Sequence, residues 1–227
     1  MGLGASGGRA GRVQKIDTSP FTALARWLAR GLIPYLPDSV TPNRVTVFGF
    51  TAFAAAGLFF ALTRFHPGWY LAAAFGICLH WFTDDLDGEL ARARLLASER
   101  GFFLDLFLDC VGASALTFGL ALSGNVHPYL PLTYLALFLL GVVLSLLHVV
   151  LRQRQPLGRF GPSEVQMGMV LLALLAFASH GPVVHLAGHP LGWFDVGLLT
   201  AFPISLVEIS VSATRLYLEL DATTGTP

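Results

Sequence analysis

The residues best placed to do chemistry lie in the stretch Asp84-Asp85-Leu86-Asp87-Gly88-Glu89-Leu90-Ala91-Arg92 and, shortly after it, Gly101-Phe102-Phe103-Leu104-Asp105-Leu106-Phe107-Leu108-Asp109. Asp84 and Asp87 stand at i, i+3 and Asp105 and Asp109 at i, i+4, so on helices each pair shares a face. Two such faces meeting at one depth gather four carboxylates, an all-oxygen donor set that suits a hard cation, Mg²⁺ or Mn²⁺. A site with room for two ions is what a diphosphate substrate needs, because the ions neutralise phosphate oxygens and stabilise the leaving group of an in-line displacement. The competing reading is a set of solvated loop acids. The apolar neighbours of Asp105 and Asp109 (Phe102, Phe103, Leu104, Leu106, Phe107, Leu108) argue against it.

The elements that must carry these acids are membrane helices. The 227-residue chain is 54% hydrophobic and only 12% charged, against about a quarter charged in soluble domains, and its mean hydropathy is +0.65. Its 14 basic and 14 acidic residues balance, which excludes the basic excess of a nucleic-acid binder. Cys78 and Cys110 lie in apolar stretches and read as buried free thiols. The expected fold is all-α and integral to the membrane. Six transmembrane helices are predicted near 43–64, 69–91, 101–123, 129–151, 163–180 and 192–217, separated by Gly, Pro and Asn turn chemistry. Residues 1–18, Gly-rich and basic without the apolar run of a signal peptide, are expected to be a disordered tail, and 19–220 a single domain.

Ahead of the first crossing, Phe21, Leu24, Leu28 and Leu32 recur at helical spacing with Arg26 and Arg30 opposite and Trp27 near the boundary. This pattern predicts an amphipathic helix lying in the interface. With six crossings, both termini and the 2–3 and 4–5 loops share one face, which collects the basic residues other than Arg64. The positive-inside rule makes that face cytoplasmic, in the plasma membrane of a bacterium or an ER-type membrane of a eukaryote.

The acidic pattern resembles the signature of the CDP-alcohol phosphotransferases (CDP-alcohol phosphatidyltransferases). That signature reads Asp, two residues, Asp-Gly, two residues, Ala-Arg, a spacer, then Gly, three residues, Asp, three residues, Asp. All eight fixed positions are present, at Asp84, Asp87, Gly88, Ala91, Arg92, Gly101, Asp105 and Asp109. The six-crossing layout with its interfacial helix is also similar to that family. The resemblance implies an enzyme that moves a phospho-alcohol from a CDP-linked donor to a hydroxyl acceptor with release of CMP, one of the substrates being a lipid. It further implies two metal ions on Asp84, Asp87, Asp105 and Asp109, with Asp109 also the base for the acceptor hydroxyl. Gly88 and Ala91 let the nucleotide approach, Arg92 meets its phosphates, Asn43 stands close to it, and the assembly is a homodimer.

Outside the pattern, Asp85 and Glu89 read as solvated or outer-layer acids, and His80, one turn before Asp84, as a packed histidine rather than a ligand. Thr41 and Pro42 read as helix-start chemistry. Arg152, Arg159 and Glu164 are candidates for the acceptor site, with Val165 weakening the case for a phosphorylated acceptor because some relatives carry Arg there; His148 lies one turn before Arg152. Glu208 is a lone acid in the sixth crossing. The Gly49-Phe50 pair leans the reading towards the choline/ethanolamine branch, in which a CDP-aminoalcohol donates to diacylglycerol; the alternative is CDP-diacylglycerol donating to a polar alcohol. A divalent-cation transporter would use the acids but has no need of Gly88, Ala91 and Arg92 at fixed offsets.

Overall fold

A computed structural model describes residues 19–152, 161–179, 181–186 and 189–224. The expected tail and Arg159 therefore lie outside the described residues. Among those described, seven helices follow one another: α1 (Pro20–Leu32), α2 (Pro42–Leu62), α3 (Trp69–Ala93), α4 (Glu99–Ala121), α5 (Tyr129–Arg152), α6 (Pro162–Ser179) and α7 (Trp193–Thr224). A 3₁₀ turn, Ile33–Tyr35, closes α1. Between α6 and α7 the chain forms a short antiparallel hairpin, β1 (Val184–Leu186) with β2 (His189–Leu191), where the sequence led us to expect only a loop.

Five helices (α2, α4, α5, α6 and α7) are long and apolar enough to cross a membrane, and the protein is an integral membrane helical protein. At 25 residues α3 is also long enough, but Asp84, Asp85, Asp87, Glu89 and Arg92 crowd its second half and dilute its apolar character. The outward faces of α5, α6 and α7 keep large apolar side chains exposed, among them Val150, Leu171 and Val207, as a lipid-facing surface does.

Helix starts are set locally. Ser19 caps α1 by accepting from the Thr22 amide at 3.3 Å, and Ser98 caps α4 by accepting from the Gly101 amide at 3.1 Å. Pro42 occupies the first turn of α2 as expected, but the Thr41 side chain makes no capping bond. The extended backbone at Thr41 and the preset φ of proline start the helix without it.

The core is built on α2, which packs against α3 on one side and α4 on the other. Gly57 on α2 and Gly119 on α4 meet backbone to backbone, so a Cβ on either would run into the main chain of the other helix. Where lipid leaves no hydrophobic advantage to helix association, such small-residue contacts bring van der Waals surfaces together. Phe53, Phe60, Ile77, Leu116 and Leu120 fill the space around this contact, and Phe194 of α7 stacks into it beside Phe60 and Tyr70.

At the end of α3 the chain turns through Leu95 at φ +56°, a left-handed conformation for a β-substituted residue. Arg94 stabilises the turn by donating to the carbonyls of Leu36 and Val40, each at 2.7 Å. The start of α6 is tied to α1 by a 2.9 Å hydroxyl contact between Thr22 and Ser163. These contacts collect α1, the end of α3 and the starts of α2, α4 and α6 at one end of the bundle.

Candidate metal centre and its surroundings

The α2–α3–α4 contact places the acids. Asp84, Asp105 and Asp109 each offer a carboxylate oxygen, and these oxygens all lie within 4.8 Å of one another. Asp87 lines the same small pocket, together with Thr46, Gly49, His80 and Thr83. It is buried, 7% exposed, and its Oδ2 accepts a short hydrogen bond from the Thr46 hydroxyl of α2. Among the described residues, the pocket is lined by four carboxylates and by no Lys or Arg. Converging acids at this depth repel one another strongly unless a cation joins them. An all-oxygen, fourfold acidic donor set fits Mg²⁺ or Mn²⁺, and the lone histidine in the lining gives no softer alternative.

His80 forms the floor. Its ring stacks on Phe53 with centroids 4.0 Å apart, its Nε2 lies 3.7 Å from Asp109 Oδ1, and its buried Nδ1 has no hydrogen-bond partner among the described residues. At 3.7 Å the contact with Asp109 is longer than a hydrogen bond. His80 is thus packed under the acids, as its spacing led us to expect.

The signature's remaining positions surround the pocket. A Cβ on Gly88 would stand 3.5 and 3.6 Å from the two terminal nitrogens of Arg92, so that guanidinium lies alongside the bare backbone of Gly88. Ala91 is half-buried on the next turn. Asn43 Oδ1 would be 3.5 Å from a Cβ on Gly101, which places Asn43 beside the start of α4 and near the acidic end.

Asp85 and Glu89 are not solvated. Arg26 Nε donates to Asp85 Oδ1 at 3.1 Å, and Arg30 donates to Glu89 through Nε at 3.1 Å and a terminal nitrogen at 3.3 Å. Both carboxylates are about nine-tenths buried beneath α1. The missed signal is a matched spacing: Arg26 and Arg30 at i, i+4 face Asp85 and Glu89 at i, i+4, one turn per rung. A single sequence does not say that these two helices touch.

The acceptor candidates are more scattered. Arg152 at the end of α5 stands 3.7 Å from Glu219 of α7. Glu164 accepts from the Gly161 amide at 2.9 Å, which makes it a capping residue of α6. The buried His148 contacts the Leu144 carbonyl at 2.9 Å, one turn back on its own helix.

The sequence model of the CDP-alcohol phosphatidyltransferases matches residues 39–201, most of the chain. The chain belongs to that family. Among curated proteins it is 42% identical over 84 residues to inner membrane protein YnjF of Escherichia coli, covering 37% of this chain and 38% of that one. It is 35% identical over 88 residues to the archaetidylinositol phosphate synthase of Pyrococcus horikoshii, covering 39% of this chain and 44% of that one. The matched stretches thus span less than half the length of those relatives. Among solved structures, the phosphatidylinositol phosphate synthase of Mycobacterium tuberculosis shares the fold. Its form with CDP-DAG bound aligns with a TM-score of 0.59 at 22% identity, over 85% of this chain and 91% of that one. Its form in complex with manganese and citrate aligns at 0.60 and 20% identity, over 84% and 86%.

Proposed function

We propose that this family member transfers a phosphatidyl group from CDP-diacylglycerol to the hydroxyl of a polar alcohol and releases CMP. The observation that carries the chemistry is the convergence of Asp84, Asp105 and Asp109 within 4.8 Å, with Asp87 in the same pocket. The choice of donor rests on the relatives. The Pyrococcus horikoshii relative is named for an inositol phosphate lipid product, and a solved neighbour, a phosphatidylinositol phosphate synthase, holds CDP-DAG. That evidence favours the lipid on the donor side over the aminoalcohol reading to which Gly49-Phe50 inclined the sequence.

In this reading Asp84, Asp87, Asp105 and Asp109 would hold two divalent ions, whose charge would screen the diphosphate and favour the departure of CMP. Asp109 is also the base: one of its carboxylate oxygens takes the proton of the acceptor hydroxyl, whose own oxygen bonds to the β-phosphorus as the bond from that phosphorus to CMP breaks. Thr46 keeps Asp87 turned into the pocket. Gly88 and Ala91 leave the α3 backbone open to the nucleotide, Arg92 donates to phosphate oxygens, and Asn43 flanks them. Arg152 and Arg159 are the candidates for a phosphate on the acceptor. Glu164 is already accounted for by its capping bond.

α3 is the sixth crossing, tolerated because Asp84 and Asp87 face the metal pocket and Asp85 and Glu89 pair with arginines of α1. The end of the bundle holding Arg26, Arg30, Arg92, Arg94 and Arg152 is cytoplasmic. α1 lies in the interface there, presenting Phe21, Leu24, Trp27, Leu28 and Leu32, all exposed, to lipid, while its buried Thr22, Ala25 and Ala29 face the bundle. The assembly is a homodimer, as the family resemblance implies.

The test is CMP release by purified protein with Mg²⁺ or Mn²⁺. CDP-diacylglycerol with a panel of polar alcohols and their phosphates is compared with CDP-choline or CDP-ethanolamine plus diacylglycerol. Release with the first set is expected. Release confined to the aminoalcohol donors would reverse the donor assignment and leave the metal chemistry standing.

A further inference from the structure

Glu89 makes hydrogen bonds in two directions. Towards α1 it takes the Nε and a terminal nitrogen of Arg30 at 3.1 and 3.3 Å; along α3 its Oε1 accepts from Arg92 at 2.9 Å. Glu89 itself is 9% exposed, whereas Arg30 and Arg92 are 68% and 59% exposed, so a buried carboxylate anchors two guanidinium groups at the water boundary. We infer that Arg30, acting through Glu89, is a positioning residue for Arg92 and leaves the Arg30–Glu89–Arg92 cluster a net positive charge for a nucleoside diphosphate. This rests on the reading that Arg92 meets the diphosphate.

The argument has a geometric and an electrostatic half. A free arginine at a helix end samples many rotamers, and fixing it on a ligand costs side-chain entropy. The bond to Glu89 already holds Arg92 alongside Gly88, where the motif leaves the backbone bare. That bond alone, however, would make a neutral pair, a poor partner for phosphate. Arg30 alters the balance: two guanidiniums and one carboxylate leave the trio one positive charge. Arg26, one turn earlier on α1, donates to Asp85 at 3.1 Å and makes a second tether. Both rungs tie α1 to α3, yet among the described residues only the second is bonded to Arg92, so they separate docking of α1 from tuning of the site.

The experiment measures CDP binding in Mn²⁺ by the full chain in detergent, by calorimetry, for wild type, Arg26→Gln, Arg30→Gln, Arg92→Gln and the double variant Arg30→Gln/Glu89→Gln. Free CDP carries the diphosphate without committing to a particular alcohol or lipid. Arg30→Gln is expected to weaken CDP binding about three- to tenfold, less at high salt, because the groups are exposed and screened. Arg26→Gln is expected to cost stability but leave CDP affinity unchanged. The double variant should recover most of the Arg30→Gln loss: it restores the positive charge, and the amide carbonyl that replaces the Glu89 carboxylate still accepts from Arg92. Recovery is the decisive arm, because a second cut in an undocked helix cannot improve binding. The relay is overturned if Arg30→Gln binds CDP like wild type, if Arg26→Gln loses as much, or if the double variant is no better than Arg30→Gln. If wild type binds CDP and Arg92→Gln binds it equally well, the diphosphate role of Arg92 fails, and the relay fails with it. A loss in Arg92→Gln with none in Arg30→Gln overturns the relay alone.

Discussion

Both ends of the bundle bury carboxylates, and they treat them in opposite ways. At the end away from the motif, Asp195 is 2% exposed and accepts from the His127 amide at 2.8 Å and the Gly192 amide at 2.9 Å. Nearby, Asn125 donates to Thr63 at 3.1 Å, so the polar groups of this corner are answered by backbone and neighbouring side chains. At the motif end, Asp84, Asp105 and Asp109 face one another within 4.8 Å, with Asp87 in the same pocket and no Lys or Arg among the described residues of its lining. Burial of an acid therefore does not mark function; what answers its charge does. Amide donors make Asp195 a structural latch between the α4–α5 loop and the start of α7, and arginines make Asp85 and Glu89 tethers for α1. The quartet instead turns its carboxylates towards one another, an arrangement that suits a cation from outside the chain.

The largest effect should come from breaking the motif end at its base. Asp109→Asn keeps the size of the side chain and removes its capacity to take a proton. A positioned general base contributes about 10²- to 10⁴-fold, and turnover should fall by that much while binding of the CDP donor is largely kept. Single-turnover CMP release beside equilibrium binding checks it, and a fully active variant would remove Asp109 from that role.

A smaller effect sharpens the same contrast. Thr46→Val is nearly isosteric but deletes the hydroxyl that donates to Asp87. Partners of this outer kind are worth about 10- to 100-fold in metal affinity, and the lower end suits a site with three other carboxylates. Mn²⁺ affinity, read by titrating activity against free Mn²⁺, should weaken about tenfold, and Thr46→Ser should restore it. An unchanged titration would mean that the bond does not orient Asp87 for metal.

How much of this was legible in the sequence follows from which contacts are local. The six long helices and the eight motif positions could be read directly, because helical spacing and apolar length are properties of one segment. That the two acidic faces converge was expected from the short turn between α3 and α4, but the two helices meet through α2, which packs against both. The ion-pair rungs from Arg26 to Asp85 and from Arg30 to Glu89 join residues 59 apart. Their spacing was visible, but their contact depends on α1 folding back over α3, which no local pattern encodes. The same holds for Thr46, an unremarked threonine until α2 sets it against Asp87. Asp195 was not singled out for a further reason: its partners are main-chain amides, which every sequence supplies and none advertises.

The smallest expected effect on chemistry belongs to the opposite end and tests the contrast most directly. Asp195→Ala removes both acceptors and leaves the part-buried His127 and Gly192 amides without their partner. An unsatisfied buried donor costs about 1–3 kcal/mol and these part-buried amides fall towards the lower end, so thermal stability in detergent should drop by a few degrees. Asp195→Asn, which keeps one carbonyl acceptor and turns an amide group towards the other donor, should fall between Ala and wild type. Neither variant should shift Mn²⁺ affinity or turnover when assayed well below its melting temperature, because the Asp195 carboxylate is already answered and takes no part in the pocket. Should Asp195→Ala weaken Mn²⁺ binding at such a temperature, the two ends are coupled through α4 and α7, and the division between a latch and a metal centre does not hold.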